Sequence, residues 1–506
     1  MRKTLIRGGL AALLLLAGLS GCGSSTPSSG NTGTTAEPPQ LRRDGRWLVD
    51  PQGRVVLLHG VNMVWKVEPF HPPATSEGFV AADADWLADQ GFNAARIGTL
   101  WVGVSPHAPG EVDQGYLQAW DRVVQLLASR RIWMLFDFHQ DLLGPAYQGE
   151  GVPDWAVEQL RGSLTDLLGP PSFGFPFNYF TPQLSQAFDN LWAERGPVRD
   201  GFRDAWIGVA RRWRDQPYSM GYDLFNEPWA GLEYPTCLIP FVGCPAHDSG
   251  ELQGFFEYAL AGIRSVDPHN MVWFEPQPMI SVGAPTGFSA VPGETQLGYS
   301  FHYYCPLTTL ANSVQLGLLQ ALPLNETCAA FGPRTFNYAR DQADRMQAVE
   351  LLTEFGATDD LDVLRQVATL ADEHLAGWHY WQYKNWQDPT TESQGSGSQS
   401  LFTDDADLGS VKTDKLRILS RSYPQATAGI PQSLSFDPDS GEFNYRYIPR
   451  TAQAPTEIYV PVALHYPQGY TLEVTGARSL SAANAGLLKL ENLPGATEVV
   501  VRIVKR

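Results

Sequence analysis

The chain has 506 residues, 43% of them hydrophobic and 18% charged, with 15 Trp and a formal net charge of −18. That length holds one large domain with a smaller one, or two to four ordinary domains, and the mixture is globular rather than disordered or fibrous. An acidic balance without any long Lys/Arg run excludes a nucleic-acid footprint and affinity for bare anionic lipid through charge alone.

The N-terminus is basic, Met1-Arg-Lys-Thr-Leu-Ile-Arg7, and leads into an apolar stretch, Leu10 to Leu19, too short to span a bilayer as a mature helix. This reads as an export signal over residues 1–21. It runs into Leu19-Ser-Gly-Cys22, which resembles a bacterial lipoprotein signal, so the expectation is lipidation at Cys22 and anchoring at the cell surface, or else secretion. Residues 22–40, rich in Ser, Thr, Gly and Pro, read as a flexible tether.

Beyond the tether, apolar β-rich runs alternate with helical-period segments, the pattern of βα units around a parallel sheet. The predicted strands are Val55–Asn62, Asn93–Gly98, Ile132–His139, Gly221–Asn226, Met271–Glu275, Tyr299–Tyr304, Val349–Glu354 and Gly377–Trp381. Between the second and third, Leu117, Trp120, Val123, Val124 and Leu127 recur at helical spacing and predict a helix over Tyr116–Arg130. A long insertion from Leu142 to about Arg199 follows the third strand, where it is expected to shape substrate binding. From about Ile430 the pattern changes to short alternating runs, Glu457–Leu464, Tyr470–Thr475 and Glu498–Val504, an all-β module. The fold class predicted is α/β: a (β/α)8 TIM barrel over residues 41–428 with a small C-terminal β-sandwich over 429–506.

Removing Cys22 leaves an even four cysteines, Cys237, Cys244, Cys305 and Cys328. Export permits disulfides, and four cysteines allow three connectivities. The local pairs Cys237–Cys244 and Cys305–Cys328 are the simplest of these. No Cys-x-x-Cys or close Cys/His cluster supports a zinc site.

Two acids close apolar strands: Glu227 in Tyr222-Asp-Leu-Phe-Asn-Glu-Pro228 and Glu354 in Leu351-Leu-Thr-Glu-Phe-Gly356. The C-terminal ends of barrel strands face the active site, so both carboxyls are expected in one cleft, and paired carboxylates suggest glycoside cleavage. Glu227 reads as the acid/base, its pKa raised by burial or by the charge of the second carboxylate. Asn226 beside it suits the sugar 2-hydroxyl. Glu354, followed by small residues, reads as the nucleophile.

Other strand ends carry supporting groups. His302 and Tyr304 point one way and Tyr303 the other by strand parity, with Tyr304 positioned to hold Glu354. His139 and Asp141 share a face by the same parity. Trp381 suits a platform under the sugar ring, and Arg96 suits steadying the carboxylate network. Singly each is ordinary; together, in order along successive strand ends, they converge on one site.

The chain resembles glycoside hydrolase family 5, and within it the endoglycoceramidase group, from about Arg42 to the C-terminus. The resemblance is carried by Asn62 to Lys66, Arg96-Ile-Gly-Thr-Leu-Trp101, Asp137-Phe-His-Gln-Asp141, Gly149-Glu-Gly-Val-Pro-Asp-Trp155, Asn226-Glu-Pro-Trp-Ala-Gly231 and Leu352-Thr-Glu-Phe-Gly-Ala-Thr358. It implies the same roles for Glu227 and Glu354, and sugar contacts from Lys66, His139, Asp141, Asn226, Tyr304 and Trp381. It also implies a glycosphingolipid substrate, cut between the whole glycan and ceramide. Such a substrate asks for an apolar side to the cleft, and two loops qualify: Thr236 to Cys244 and Leu316 to Leu324, expected to line a ceramide groove or touch a membrane or micelle surface. No cofactor or metal is implied, and a monomer is expected. The alternatives are a family 5 β-glucanase or β-mannanase, which wants an open aromatic groove, and a noncatalytic glycan-binding lipoprotein.

Overall fold

The computed structural model describes residues 40–239, 241–305, 325–391 and 397–506. The export signal, Cys22 and nearly all of the tether, together with the loop Leu316–Leu324, lie outside the described residues.

Eight parallel strands close into a barrel: His59–Met63, Ala94–Gly98, Trp133–Asp137, Ser219–Asp223, Val272–Phe274, Leu297–Tyr303, Val349–Gly356 and Gly377–Trp381. Closure joins the eighth strand to the first, with Trp378 paired to His59. Nearly every residue of these strands is buried, because helices cover the outside while side chains fill the inside, which is why they read as unbroken apolar runs. The predicted helix forms over Gln114–Ser129. Asp113 caps it by accepting from the amides of Gly115 and Tyr116, and the five predicted apolar residues are buried along one face.

The insertion after the third strand is helical, with helices at Asp154–Leu160, Ser163–Leu168 and Pro182–Ala193. Its Phe180 packs edge-on to Trp229 and Tyr234, in the segment that follows the fourth strand. The two connections therefore buttress one another at the C-terminal end of the barrel.

Two antiparallel sheets form the second layer. One, of four strands, takes Gly429–Phe436, Phe443–Pro449, Val499–Lys505 and Tyr470–Thr475 in that order. The other has seven, and three of them come from the N-terminal side: Arg42–Asp44, Trp47–Val49 and Val55–Val56 lie ahead of Tyr423–Thr427. This corrects the sequence reading, which assigned the stretch from residue 41 to the barrel and began the first barrel strand at Val55. Val55 and Val56 instead pair with Thr427 and Ala426, and the barrel strand starts at His59. Leu41, Leu48, Val56 and Leu58 join Trp133, Met220 and Met271 in one apolar cluster. The run Val462–His465 is a helical turn rather than a continuation of the predicted strand, which stops at Tyr459.

The sandwich is fastened to the barrel by polar bonds as well as packing. Tyr423 donates to the carbonyl of Gly91 at 2.7 Å and Tyr459 to that of Asp89 at 2.7 Å, and Arg421 is buried against Asp372.

The two disulfides are Cys237–Cys244 and Cys305–Cys328, with Cα atoms 4.7 and 5.0 Å apart. Of the three connectivities the sequence allows, this is the local one. Among the described residues no helix is long and apolar enough to cross a membrane.

Candidate active site

Arg96, in the middle of the second strand, is fully buried and organises the floor of the barrel mouth. Its guanidinium lies 3.0 Å from Asp137, 2.9 Å from Asp223, 3.3 Å from Glu275 and 2.6 Å from Glu354. It also donates to the side-chain oxygens of Asn226 at 3.0 Å and Asn62 at 3.3 Å. Burial works against a charged guanidinium, yet these carboxylates overcome it and push its pKa further up. Four carboxyls around Arg96 outnumber the nearby cations even with His139 3.0 Å from Asp137, and a dry site relieves that excess of negative charge by proton uptake. Burial accordingly raises Asp223 to about 7 and Glu275 well above the usual carboxylate range.

Glu354 lies within the seventh strand, two residues before its end. One of its oxygens takes the 2.6 Å bond from Arg96 and the other accepts from the Tyr304 hydroxyl at 2.7 Å. A carboxyl so held is fixed in direction.

Glu227 lies four residues past the end of the fourth strand rather than closing it, and its backbone is left-handed, φ 44°. Such a conformation costs a non-glycine residue about 1–3 kcal/mol and persists only where its surroundings enforce it. Here the Glu227 amide donates to Glu275 Oε1 at 2.9 Å, and the His302 ring nitrogen Nδ1 is 2.9 Å from Glu227 Oε1. The turn swings the carboxyl over the barrel mouth, where it keeps 17% exposure against 5% for Glu354. A Glu227 oxygen, a Glu354 oxygen and a His302 ring nitrogen all lie within 4.8 Å of one another.

Burial, then the charge of Asp141, raises Glu227 to about 7. The sequence reading offered the charge of Glu354 as the alternative to burial. The main charged neighbour is Asp141 instead. His302 is driven the other way by burial, down to about 3, and is therefore neutral at neutral pH.

A second charged nest sits beside the first. The Lys66 ammonium is fully buried, 2.6 Å from Asp141, 3.0 Å from Asp388 and 3.6 Å from Glu150. Despite burial, those three carboxyls keep it charged. His139 stands between the two nests, 3.0 Å from Asp137 and 3.5 Å from Asp141. Burial opposes its charge, but the bonds to the two aspartates win and lift it to about 9. The Trp381 ring stacks on His139 with centroids 5.0 Å apart, and Lys66 Nζ is 4.8 Å from the Trp381 centroid.

The residues singled out in sequence therefore fall into one cleft: Glu227, Glu354, Arg96, His302, Tyr304 and Asn226 at its floor, with Lys66, His139, Asp141 and Trp381 along one wall. Asn226 is held on both sides, accepting from Arg96 and donating to the Gln140 carbonyl at 3.0 Å. Glu227, His302 and Glu354 also have atoms close enough to hold a metal ion.

Sequence reasoning missed Asp137, Asp223, Glu275, Glu150 and Asp388. The signal for Glu275 was present: Val272-Trp-Phe-Glu275-Pro276 repeats the apolar run closed by Glu-Pro seen at Glu227. Asp388 and Glu150 lie on connections after the eighth and third strands, where no periodicity points to them.

Residues 49–387 match the model of the cellulase family, glycosyl hydrolase family 5, and residues 421–503 match the glycoside hydrolase family 5 C-terminal domain. The chain is 35% identical to endoglycoceramidase I of Rhodococcus hoagii (strain 103S), over 92% of this chain and 88% of that protein. It superposes on endo-glycoceramidase II from Rhodococcus sp. in complex with ganglioside GM3 with a TM-score of 0.71 and 26% identity, covering 92% of this chain and 100% of that one. The lactosyl-enzyme intermediate of the same Rhodococcus sp. protein gives a TM-score of 0.70 at 25% identity, covering 91% and 99%.

Proposed function

The chain belongs to glycoside hydrolase family 5, with the endoglycoceramidases, and on that premise we propose that it hydrolyses the bond between glycan and ceramide in glycosphingolipids with retention of anomeric configuration. The mechanism rests on the asymmetry of two carboxyls whose oxygens come within 4.8 Å. Retaining enzymes place theirs about 5–5.5 Å apart, close enough for direct attack. Glu354, oriented by Arg96 and Tyr304, attacks the anomeric carbon. Glu227, raised to about 7, protonates the ceramide oxygen as it leaves, then takes a proton from the water that releases the glycan.

Lys66, His139, Asp141, Asn226, Tyr304 and Trp381 contact the sugars. Asn226, fixed by Arg96 and Gln140, offers its amide to the 2-hydroxyl, a contact that strengthens in an oxocarbenium-like transition state.

The lipid side is the disulfide-closed loop after Glu227. Leu238, Ile239, Phe241 and Val242 are 38%, 48%, 58% and 53% exposed, an apolar group that suits acyl chains or a micelle surface. Leu167, Leu168 and Phe173 of the insertion are exposed too. The chain works as an exported monomer, anchored through lipidated Cys22 or secreted.

The test is a panel of glycosphingolipids in mild detergent, with products identified by mass, beside Glu354→Gln. The expected result is intact oligosaccharide plus free ceramide, lost in the variant. A panel left untouched by an enzyme that cuts soluble β-glucans would overturn the substrate class.

A further inference from the structure

Glu275 has no part in the proposed reaction, yet it reaches the acid/base residue by two routes, directly through the Glu227 amide and indirectly through His302. Its Oε1 accepts the amide of Glu227 at 2.9 Å, the residue with φ 44°. The same oxygen stands 3.4 Å from Nε2 of His302, whose opposite nitrogen is 2.9 Å from the Glu227 carboxyl. Its other oxygen lies 3.3 Å from Arg96. The side chain is 1% exposed.

We propose that Glu275 is the positioning residue of the acid/base, holding the left-handed turn of Glu227 through its amide and fixing His302 as the tautomer that carries its hydrogen on Nδ1. This rests on the reading of Glu227 as acid/base and adds what keeps its proton on the correct oxygen.

A neutral imidazole has one N–H and one bare nitrogen. Were the hydrogen on Nε2, bare Nδ1 would draw the Glu227 proton onto Oε1, away from the leaving group. With the hydrogen on Nδ1, Glu227 Oε1 accepts it, and the acid's own proton sits on the other oxygen. That arrangement leaves Nε2 bare and facing Glu275 Oε1. Arg96 donates to Oε2 of Glu275, so a proton held by Glu275 belongs on Oε1, the oxygen that faces Nε2. Burial and the neighbouring Asp223 charge push Glu275 well above the usual carboxylate range, the direction that favours a proton on it. The charged and titratable groups around it are Arg96 from the second strand, Asp223 from the fourth, His302 from the sixth, Glu354 from the seventh, and Glu227.

Glu275→Gln tests this, because one carboxamide atom cannot both accept from the Glu227 amide and donate to Nε2. On glycosphingolipid, whose alkoxide leaving group needs protonation, kcat/KM should fall about ten- to a hundredfold, part of the hundred- to ten-thousandfold that general acid catalysis supplies. The alkaline limb of the pH profile should move up, since the Glu227 carboxylate loses the Nδ1–H that stabilises it. With a dinitrophenyl lactoside, which leaves unaided, formation of the glycosyl-enzyme should be nearly unchanged.

Glu227→Gln separates the two claims. Both arms read glycosyl-enzyme formation, because turnover also needs Glu227 as the base: if that variant loses it with glycosphingolipid and dinitrophenyl substrates alike, Glu227 is not the acid. If it spares the dinitrophenyl substrate while Glu275→Gln behaves as wild type on both, the positioning role falls alone. Should Glu275→Gln fail to fold, nitrogen-15 shifts of the wild-type histidine rings, with His302 identified by its loss in His302→Gln, decide the matter. Protonated Nδ1 with bare Nε2 supports the proposal, and the reverse overturns it.

Discussion

At the floor of the cleft, Arg96 and Lys66 are fully buried and each is ringed by carboxyls, whereas at the rim Ile239, Phe241 and Val242 are about half exposed. The floor puts charge where water is scarce, the rim puts oil where water is plentiful, and each arrangement costs stability by itself. Both are held by neighbours that over-determine them. At the floor the restraint is a network in which almost every charge has several partners. At the rim it is the Cys237–Cys244 bridge, the Phe241 amide bonded to the Gly283 carbonyl at 3.3 Å, and Arg334 lying 3.7 Å over the Phe241 ring. The two regions also touch, since Ser281, beside that rim contact, donates to the His302 carbonyl at 3.1 Å. Function explains the contrast: fixed charges are worth most against a developing transition-state charge in a low dielectric, and an apolar surface is useful only while it stays uncovered.

The largest effect is expected from Arg96→Ala. It removes the one cation shared by Asp137, Asp223, Glu275 and Glu354, and breaking a buried ion pair from one side costs about 3–5 kcal/mol. Urea unfolding should show that loss, together with loss of turnover on every substrate. An unchanged midpoint would mean that the floor carries no excess charge to neutralise.

Next comes Asp141→Asn, which tests whether the two nests communicate. Glu227 is raised by burial and then by Asp141, and a general acid must be protonated to act, so kcat/KM should decline as pH rises past about 7 in the wild type. Removing the Asp141 charge takes away a repulsion and leaves Lys66 and His139 less neutralised. Both changes favour ionised Glu227, so the alkaline limb should move to lower pH by about one unit, equivalent to about 1.4 kcal/mol. KM on lactosyl substrates should rise as well. A limb that stays in place would isolate the Lys66 nest from the acid.

The floor was largely legible in sequence and the supports behind it were not. Parallel barrel strands are buried on both faces, so their apolar runs located each strand to within a few residues, and the polar residues at their ends stood out. Asp223 and Glu275 stood at the same strand ends, but an acid's weight there depends on which cation it shares, and Arg96 is distant from both in sequence. The first three short strands were misassigned for a related reason: Val56 pairs with Ala426, a partner no local pattern announces. At the rim, the Thr236–Cys244 loop could be read because two cysteines framed an apolar run. Leu167 and Leu168 could not, because helical spacing within the insertion looks the same whether a face is packed or bare, and Phe173 lies in an irregular stretch with no periodicity to read.

The smallest effect, and the one that most directly separates rim from floor, is expected from changing Leu238, Ile239 and Phe241 together to Ser. These side chains are already 38%, 48% and 58% exposed, so the fold loses little when they are shortened. What is lost is their burial against lipid. A fully buried side chain of this kind is worth about 1.5–3 kcal/mol, but partial exposure and a mobile acyl partner leave a fraction of that, about 1.4 kcal/mol or tenfold in all. Cleavage of glycosphingolipid should fall by that factor while hydrolysis of a soluble aryl lactoside is unchanged, because no floor residue has moved. Equal losses on both substrates would mean that the loop serves the floor by packing, with Phe241 bracing Arg334 and through it the segment beside His302. A loss confined to lipid would leave the catalytic network independent of the surface that delivers its substrate.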